Sequence, residues 1–156
     1  MDYRSTASFG KRQEYVAVAE LLRRGFDVYM TLVDDQQIDC IIRQEQTGKL
    51  RYLDVQIKAR SLTAKHAATF AALTVSKPRP NYWYIFFSEV INTYWIIPSV
   101  DLVKVANVNK GGTSKRSKNK GKFTIVLANK NKTGWIPRPK FRQYENNFSS
   151  LSLNNE

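Results

Sequence analysis

The chain has 156 residues, of which 42% are hydrophobic and 12% aromatic, and it carries a formal net charge of +12. This length suits a single domain, which we expect to span residues 1–148 and to be followed by a frayed tail at residues 149–156. No apolar run reaches the roughly 18 residues of a membrane span, and the first ten residues lack the apolar region of a signal peptide. The single Cys40 excludes an internal disulfide, so we expect a cytoplasmic protein.

The first predicted element is an amphipathic helix over residues 11–24. Good helix formers fill this segment, and Gly25 supplies the stop signal. Four side chains recur at helical spacing and predict the face that the helix buries: Tyr15, Val18, Ala19 and Leu22.

Three strands are predicted after this helix, over residues 26–33, 38–44 and 50–58. The polar residues 34–37 predict a turn between the first two strands. Thr47 and Gly48 predict a hairpin turn between the second and the third.

The second half of the chain contains two aromatic runs, at residues 82–87 and 93–98, which predict a buried β-hairpin. Residues 68–75 fit either a short strand or a helical turn, and we favour the strand. A short helix is expected over residues 99–106, and one more strand over residues 123–128.

The positive charge is concentrated towards the C-terminal end. Residues 1–101 hold 13 Lys and Arg against 11 Asp and Glu, whereas residues 102–156 hold 12 against two. Such a one-sided excess favours a surface that contacts phosphates, because a solubilising surface usually mixes the two signs. We expect a mobile basic loop over residues 109–122. The side chains expected to contact phosphates are Lys110, Lys115, Arg116, Lys118, Lys120, Lys122, Lys130 and Lys132.

Four polar side chains occur in an order that suits metal-assisted chemistry on a phosphate: Glu14, Asp39, Gln56 and Lys58. Glu14 lies on the predicted helix, Asp39 on the second strand, and the other two on the third. Because Gln56 and Lys58 are two residues apart on a strand, both project to one side, about 7 Å from each other. Hydrolysis of a phosphodiester requires oxygen ligands for a hard Mg²⁺ ion and a fixed cation beside the developing charge.

At these positions the chain resembles the PD-(D/E)XK nuclease superfamily, over residues 9–60. In that pattern a helix carries a Glu, matched by Glu14, and the first strand carries the metal-binding Asp, matched by Asp39. The next strand carries (D/E)-x-K, matched by Gln56-Ile57-Lys58. The aromatic strands and short helix that follow look like those of small members, namely Holliday junction resolvases and intron-encoded homing endonucleases. The resemblance implies an α/β fold with a restriction-endonuclease-like core, in which helices flank a central mixed sheet.

The resemblance also implies a Mg²⁺-dependent DNA endonuclease in which Mn²⁺ can replace Mg²⁺. Asp39, the side-chain oxygen of Gln56 and the backbone carbonyl of Ile57 would bind the ion, and Glu14 would act through a metal-bound water or at a weak second site. Lys58 would orient or activate the attacking water and stabilise the developing charge. A single active site cuts one strand, so double-strand cleavage would require a homodimer or a higher symmetric oligomer.

Gln56 departs from the family pattern, because a carboxylate is usual at this position. A glutamine brings an oxygen but no charge, so metal affinity falls and a second ion is disfavoured. Active QxK variants occur among the homing endonucleases of this superfamily. Asp54 is another source of the missing charge, although an exposed sheet residue is the simpler interpretation. Two other functions stay open: a DNA-binding module of this fold with weakened catalysis, and an RNA-binding or RNA-cleaving protein.

Overall fold

The computed structural model describes residues 3–33, 36–111 and 118–153, except for the side chains of residues 3 and 4. Its helices and strands are α1 (Tyr3–Arg23), β1 (Asp27–Met30), β2 (Cys40–Gln46), β3 (Lys49–Arg60), β4 (Thr69–Leu73), β5 (Tyr82–Ser88), β6 (Thr93–Pro98), α2 (Ser99–Val105), β7 (Asn107–Val108), β8 (Phe123–Val126), β9 (Ala128–Asn131) and β10 (Gly134–Pro137). Two 3-10 helices follow, Pro139–Tyr144 and Phe148–Leu151. No helix in these described ranges is long and apolar enough to cross a membrane.

Five strands form the central sheet, in the order β1-β2-β3-β5-β6. β3 and β5 are parallel, and the other neighbouring pairs are antiparallel. The β2–β3 hairpin closes through Thr47 and Gly48, which both adopt positive φ. The mixed central sheet expected from the sequence is confirmed. β3 lies at the centre of the sheet. Its successive side chains point to opposite faces, so β3 contributes residues to both sides of the sheet.

Helix α1 covers one side of the sheet, but the predicted buried face is only partly right. The helix begins at Tyr3 rather than at residue 11. Val18 is buried as expected, whereas the side chains of Tyr15 and Leu22 are 58% and 53% exposed. The face against the sheet consists of Gln13, Ala17, Val18 and Leu21. Its small and polar members allow a close approach but contribute little hydrophobicity, so the larger Tyr15 and Leu22 dominated the sequence pattern.

The opposite side of the sheet packs on a second core, built mainly from aromatic residues of β5 and β6. Tyr84, Phe86 and Trp95 are fully buried there. A three-stranded sheet in the order β4-β8-β7 covers this core together with α2. The aromatic hairpin, the strand at residues 68–75 and the short helix predicted from the sequence are thus present, with bounds shifted by a few residues.

Three strands were missed in the basic C-terminal part of the chain. β7 pairs with β8, and β9 forms a separate hairpin with β10. Backbone hydrogen bonds continue the β7–β8 hairpin beyond β7. The N–H of Asn109 donates to the carbonyl of Lys122, and the N–H of Gly121 donates to the carbonyl of Asn109. The ends of the predicted mobile loop therefore form a hairpin. These strands are too short and too polar to produce an alternating hydrophobic pattern.

The chain does not fray from residue 149 as predicted. Phe148 and Leu151 are buried against the α1 side of the sheet, and the side-chain amide of Gln44 donates a hydrogen bond to the carbonyl of Leu151. These two apolar residues offer enough surface to hold a single helical turn in place. Residues 154–156 lie outside the described part of the chain.

Candidate active site

Asp39 lies directly before β2 rather than within it, and it is only 6% exposed. Its backbone N–H donates to the carbonyl of Val55 on β3 at 2.8 Å. Its carbonyl accepts a hydrogen bond of 3.2 Å from the backbone N–H of Thr31, whose hydroxyl donates to the neighbouring carbonyl of Ile38 at 2.6 Å. The backbone of Asp39 is therefore fixed from both neighbouring strands, which defines the position of its side chain.

The Asp39 carboxylate is directed at β3. Its Oδ2 accepts a hydrogen bond of 2.6 Å from the backbone N–H of Ile57. Burying a carboxylate is costly unless it is hydrogen-bonded, so this contact helps to stabilise the charged side chain inside the protein. The bond also places Asp39 beside the segment Gln56-Ile57-Lys58, as the sequence predicted.

Gln56 and Lys58 lie on the opposite face of β3 from Ile57, and both line a cavity of about 230 Å³. Gln56 is 3% exposed. The hydroxyl of Tyr82 lies 2.9 Å from the carbonyl oxygen of Gln37 and 3.4 Å from Oε1 of Gln56. Burial raises the pKa of Tyr82, so its phenol stays a neutral hydrogen-bond donor near neutral pH. The Gln56 oxygen therefore lies next to the Tyr82 hydroxyl.

Glu14 is half-buried on α1, and the structure pairs it with a residue that the sequence analysis did not single out. Nζ of Lys11 lies 2.5 Å from Oε2 of Glu14. This hydrogen bond raises the pKa of Lys11, and the negative charge of Asp39 raises it further. Lys11 is therefore paired with Glu14 and also senses the charge of Asp39. Its spacing of three residues from Glu14 was the only sequence signal for the pair.

Cys40 is a buried side chain on which both carboxylates act. Burial raises the pKa of its thiol to about 12, and the charges of Asp39 and Glu14 contribute to the same effect. Both charges therefore reach the same part of the core, directly after Asp39 in the chain.

The candidate donor atoms suit a hard divalent cation. They are carboxylate and amide oxygens, which Mg²⁺ and Mn²⁺ accept, rather than sulfur or imidazole nitrogen. Within the described ranges, no group of three or more His, Cys, Asp and Glu side chains is arranged around one point. The candidate donors are the carboxylates of Asp39 and Glu14 and the amide of Gln56, which together carry a low charge for a metal site.

Asp54 does not supply the missing negative charge. Its Oδ2 accepts a hydrogen bond of 2.6 Å from Arg79, whose guanidinium also stacks 4.7 Å from the centre of the Tyr82 ring. An arginine held in this way neutralises the Asp54 carboxylate.

The predicted phosphate-contacting residues fall on two hairpins. The described members on the β7–β8 hairpin are Lys110, Lys118, Lys120 and Lys122; all are exposed except Lys122, which is half-buried. On the β9–β10 hairpin, Lys130 is exposed on strand β9 and Lys132 is exposed on the turn, which the N–H of Thr133 stabilises by donating to Oδ1 of Asn131. Lys115 and Arg116 lie outside the described residues. Because β8 also pairs with β4, the first hairpin belongs to the same sheet as a wall of the cavity.

Comparison with known proteins connects this arrangement to a solved structure. No protein-family model matches the sequence, and no curated protein does. Among solved structures, that of a bacterial homing endonuclease, I-Ssp6803I, aligns over 94% of this chain and 93% of its own, with a TM-score of 0.58 and 18% sequence identity. At this level of identity the match establishes a shared fold along nearly the whole chain.

Proposed function

We propose that this protein is a metal-dependent DNA endonuclease of the PD-(D/E)XK type with glutamine at the usual carboxylate position. The observation that carries the proposal is the hydrogen bond from the Ile57 N–H to the Asp39 carboxylate. It places an acidic side chain directly before β2 beside the Gln-x-Lys segment of β3, an arrangement that suits metal-dependent phosphodiester hydrolysis.

Asp39, the Gln56 side-chain oxygen and the Ile57 backbone carbonyl would hold one Mg²⁺ ion, and Mn²⁺ would fit the same donors. The carbonyl of a strand residue points to the same edge as its N–H. Because the Ile57 N–H points at Asp39, its carbonyl faces the same region. Glu14 would contribute through a metal-bound water, which requires that Lys11 release it. When bound, the ion supplies a Lewis acid that lowers the pKa of a coordinated water.

Lys58 supplies the positive charge in this scheme. It lines the same cavity as Gln56 and lies one residue beyond the Ile57 amide. From this position its ammonium group would orient the attacking water and stabilise the negative charge that develops on the phosphate. Its Nζ is a compact point charge, which suits one oxygen of a phosphate.

DNA is the proposed substrate because the basic β7–β8 hairpin belongs to the sheet whose strand β4 forms a wall of the cavity, and because a protein of the same fold is named a homing endonuclease. The lysines on this hairpin and on the β9–β10 hairpin would contact backbone phosphates, which positions the protein without reading sequence. Each chain carries one candidate site, so cleavage of both strands would require a symmetric dimer or a higher oligomer.

The direct test is nicking of supercoiled plasmid DNA with Mg²⁺, with Mn²⁺ and with EDTA, comparing wild type and Lys58→Met. Lys49→Met is the matched control, since Lys49 is an exposed lysine at the other end of the same strand. We expect metal-dependent nicking by wild type and by Lys49→Met, and loss of at least about a hundredfold in Lys58→Met. Equal nicking by both variants would reject the assignment of Lys58.

One observation favours a second function, that of a DNA-binding module with weakened catalysis. Gln56 is neutral, and Glu14 forms an ion pair with Lys11. Asp39 is therefore left as the principal charged metal ligand. This function predicts DNA binding without metal-dependent nicking on plasmid or genomic DNA, and the experiment above separates the two.

A further inference from the structure

The cavity extends along β3 beyond the residues of the proposed metal site. Gln56, Lys58 and Arg60 occupy alternate positions of one strand, and all three line it. The opposite wall comes from residues 70–74, where the pairing of β4 with β8 is interrupted by a bulge between Phe70 and Leu73. The proposed nuclease chemistry uses Gln56 and Lys58, and it leaves Arg60 without a role.

Arg60 is held in the cavity by two contacts. Its Nε donates a hydrogen bond of 2.8 Å to the carbonyl of Thr69, and its guanidinium carbon lies 5.2 Å from the centre of the Phe70 ring. These contacts fix the plane of the guanidinium group. They use one of its five N–H donors, so the donors on the two terminal nitrogens are available to a ligand.

The charge of Arg60 is not balanced by an acid in the part of the chain that the structure describes. The ion pairs found there involve other residues. Arg60 is nevertheless half-buried, and this burial lowers its pKa. A partly desolvated cation without a counter-ion is unfavourable, and an anionic ligand would offset the cost.

We propose that Arg60 binds a backbone phosphate of the cleaved DNA strand, the one next to the phosphate at which Lys58 acts. The inference rests on the proposed function and adds a second phosphate site to it. Residues two apart on a strand are separated by about 7 Å, which is close to the step between neighbouring phosphates of one nucleic acid strand. The cleaved strand would therefore run along β3 from Lys58 towards Arg60.

The chemistry of the site fits a phosphodiester group. A guanidinium with a fixed plane can donate two parallel hydrogen bonds to two phosphate oxygens. The opposite wall includes Ala71 and Ala72, whose small side chains leave space for a sugar and its phosphate. Ala72 adopts a φ of 56°, a conformation that non-glycine residues rarely take and that accompanies the bulge.

The experiment measures binding of a 30-base-pair DNA duplex over a range of salt concentrations, with Ca²⁺ replacing Mg²⁺ to prevent cleavage. Arg60→Met is compared with wild type and with Arg51→Met, a control that removes the same charge from the same strand nine residues earlier. Loss of one phosphate contact reduces the slope of log K against log salt by about 0.9. We expect that reduction and about a tenfold weaker affinity for Arg60→Met, and no change in slope for Arg51→Met.

A purely structural role for Arg60 would lower thermal stability without changing the salt slope. Melting temperatures are therefore measured for both variants. If Arg60→Met does not fold, Arg60→Gln removes the charge while it keeps an N–H donor for the Thr69 carbonyl. A folded variant with the wild-type slope and affinity would overturn the proposal.

Failure of the nuclease function and failure of this inference give different results. If wild type nicks plasmid but the folded Arg60 variant keeps the wild-type slope, the phosphate site is wrong and the nuclease function stands. If wild type nicks nothing while the Arg60 variant shows the reduced slope, Arg60 binds phosphate in a protein without nuclease activity.

Discussion

The backbone N–H of Ile57 donates a 2.6 Å hydrogen bond to Oδ2 of Asp39, and this contact joins the two strands that carry the candidate site. It links a side chain before β2 to the middle of β3, across 18 residues of sequence. The bond has a structural effect, because it satisfies a buried amide. It also has a functional one, because it orients the carboxylate.

Two substitutions of Asp39 separate these effects. Asp39→Ala leaves the Ile57 N–H without its acceptor and should lower the free energy of unfolding by about 1–3 kcal/mol. Asp39→Asn keeps an oxygen that can accept the bond, so its stability should fall by less. Both variants should lose metal-dependent nicking, because neither alanine nor asparagine carries the negative charge that holds the ion. Denaturant unfolding and plasmid nicking measure the two effects, and unchanged nicking in Asp39→Asn would remove Asp39 from the metal site.

Lys11 should compete with a metal ion for Glu14. Its ammonium lies 2.5 Å from the Glu14 carboxylate and also senses the charge of Asp39. Removing it in Lys11→Met should strengthen Mn²⁺ binding about three- to fivefold, since the pair is partly exposed and worth up to about 1 kcal/mol. Mn²⁺ binding followed by electron paramagnetic resonance measures this directly.

The control for Lys11 is Arg12→Met, which removes the same charge from the next residue of α1. Arg12 stacks on Phe9 and faces Glu89 rather than Glu14. Mn²⁺ affinity should change little in this variant. Weaker Mn²⁺ binding in Lys11→Met would mean that Lys11 positions Glu14 instead of competing for it.

Residue order and alternation were sufficient to predict the central sheet and the position of Asp39 beside the segment Gln56-Ile57-Lys58. β3 alternates apolar and polar residues over its second half, so its register could be assigned from Leu53 to Lys58. The aromatic runs of β5 and β6 predicted buried strands for the same reason. Such patterns arise wherever a strand separates two different environments.

The features that could not be predicted depend on tertiary contacts. The partner of Glu14 is a lysine three residues earlier on the helix, and this pair resembles any helical i,i+3 pair until the fold adds the charge of Asp39. Arg60 is covered by Phe70 and by the carbonyl of Thr69, and both residues belong to a different strand, β4. The buried face of α1 is set by how closely Ala17 approaches the sheet, and a small side chain gives a weak signal in sequence.

Cys40 should be unreactive in the folded protein. Its side chain is fully buried, and its pKa is raised to about 12. At pH 8 the thiolate, which is the reactive form, is therefore scarce and shielded. Reaction with a disulfide reagent should be slow in native buffer and fast in denaturant, and because the chain has one cysteine the reaction reports unfolding. Rapid labelling of native protein at pH 8 would contradict the burial of Cys40 in the core on the α1 side of the sheet.

The β9–β10 hairpin should contribute to DNA affinity through charge alone. Lys130 and Lys132 are both exposed on this hairpin, so replacing both with glutamine should leave stability unchanged within about 0.5 kcal/mol. The slope of log K against log salt should fall by up to about 1.8, the value for two phosphate contacts. The measurement is duplex binding at several salt concentrations. A slope equal to that of wild type would show that this hairpin faces away from the DNA.

Gln56→Glu tests whether the neutral side chain limits metal binding. A carboxylate at this buried position would have a raised pKa and would destabilise the metal-free protein, because burial disfavours the charged form. A bound divalent ion would compensate for that charge. The melting temperature of the variant should therefore lie below that of wild type in EDTA and should rise more than that of wild type when Mg²⁺ or Mn²⁺ is added.

Gln46→Glu, at the exposed end of β2, is the control and should respond to metal as wild type does. If the two variants respond equally to metal, the Gln56 oxygen lies outside the metal's coordination sphere, and the ion is held by Asp39 and the backbone without it.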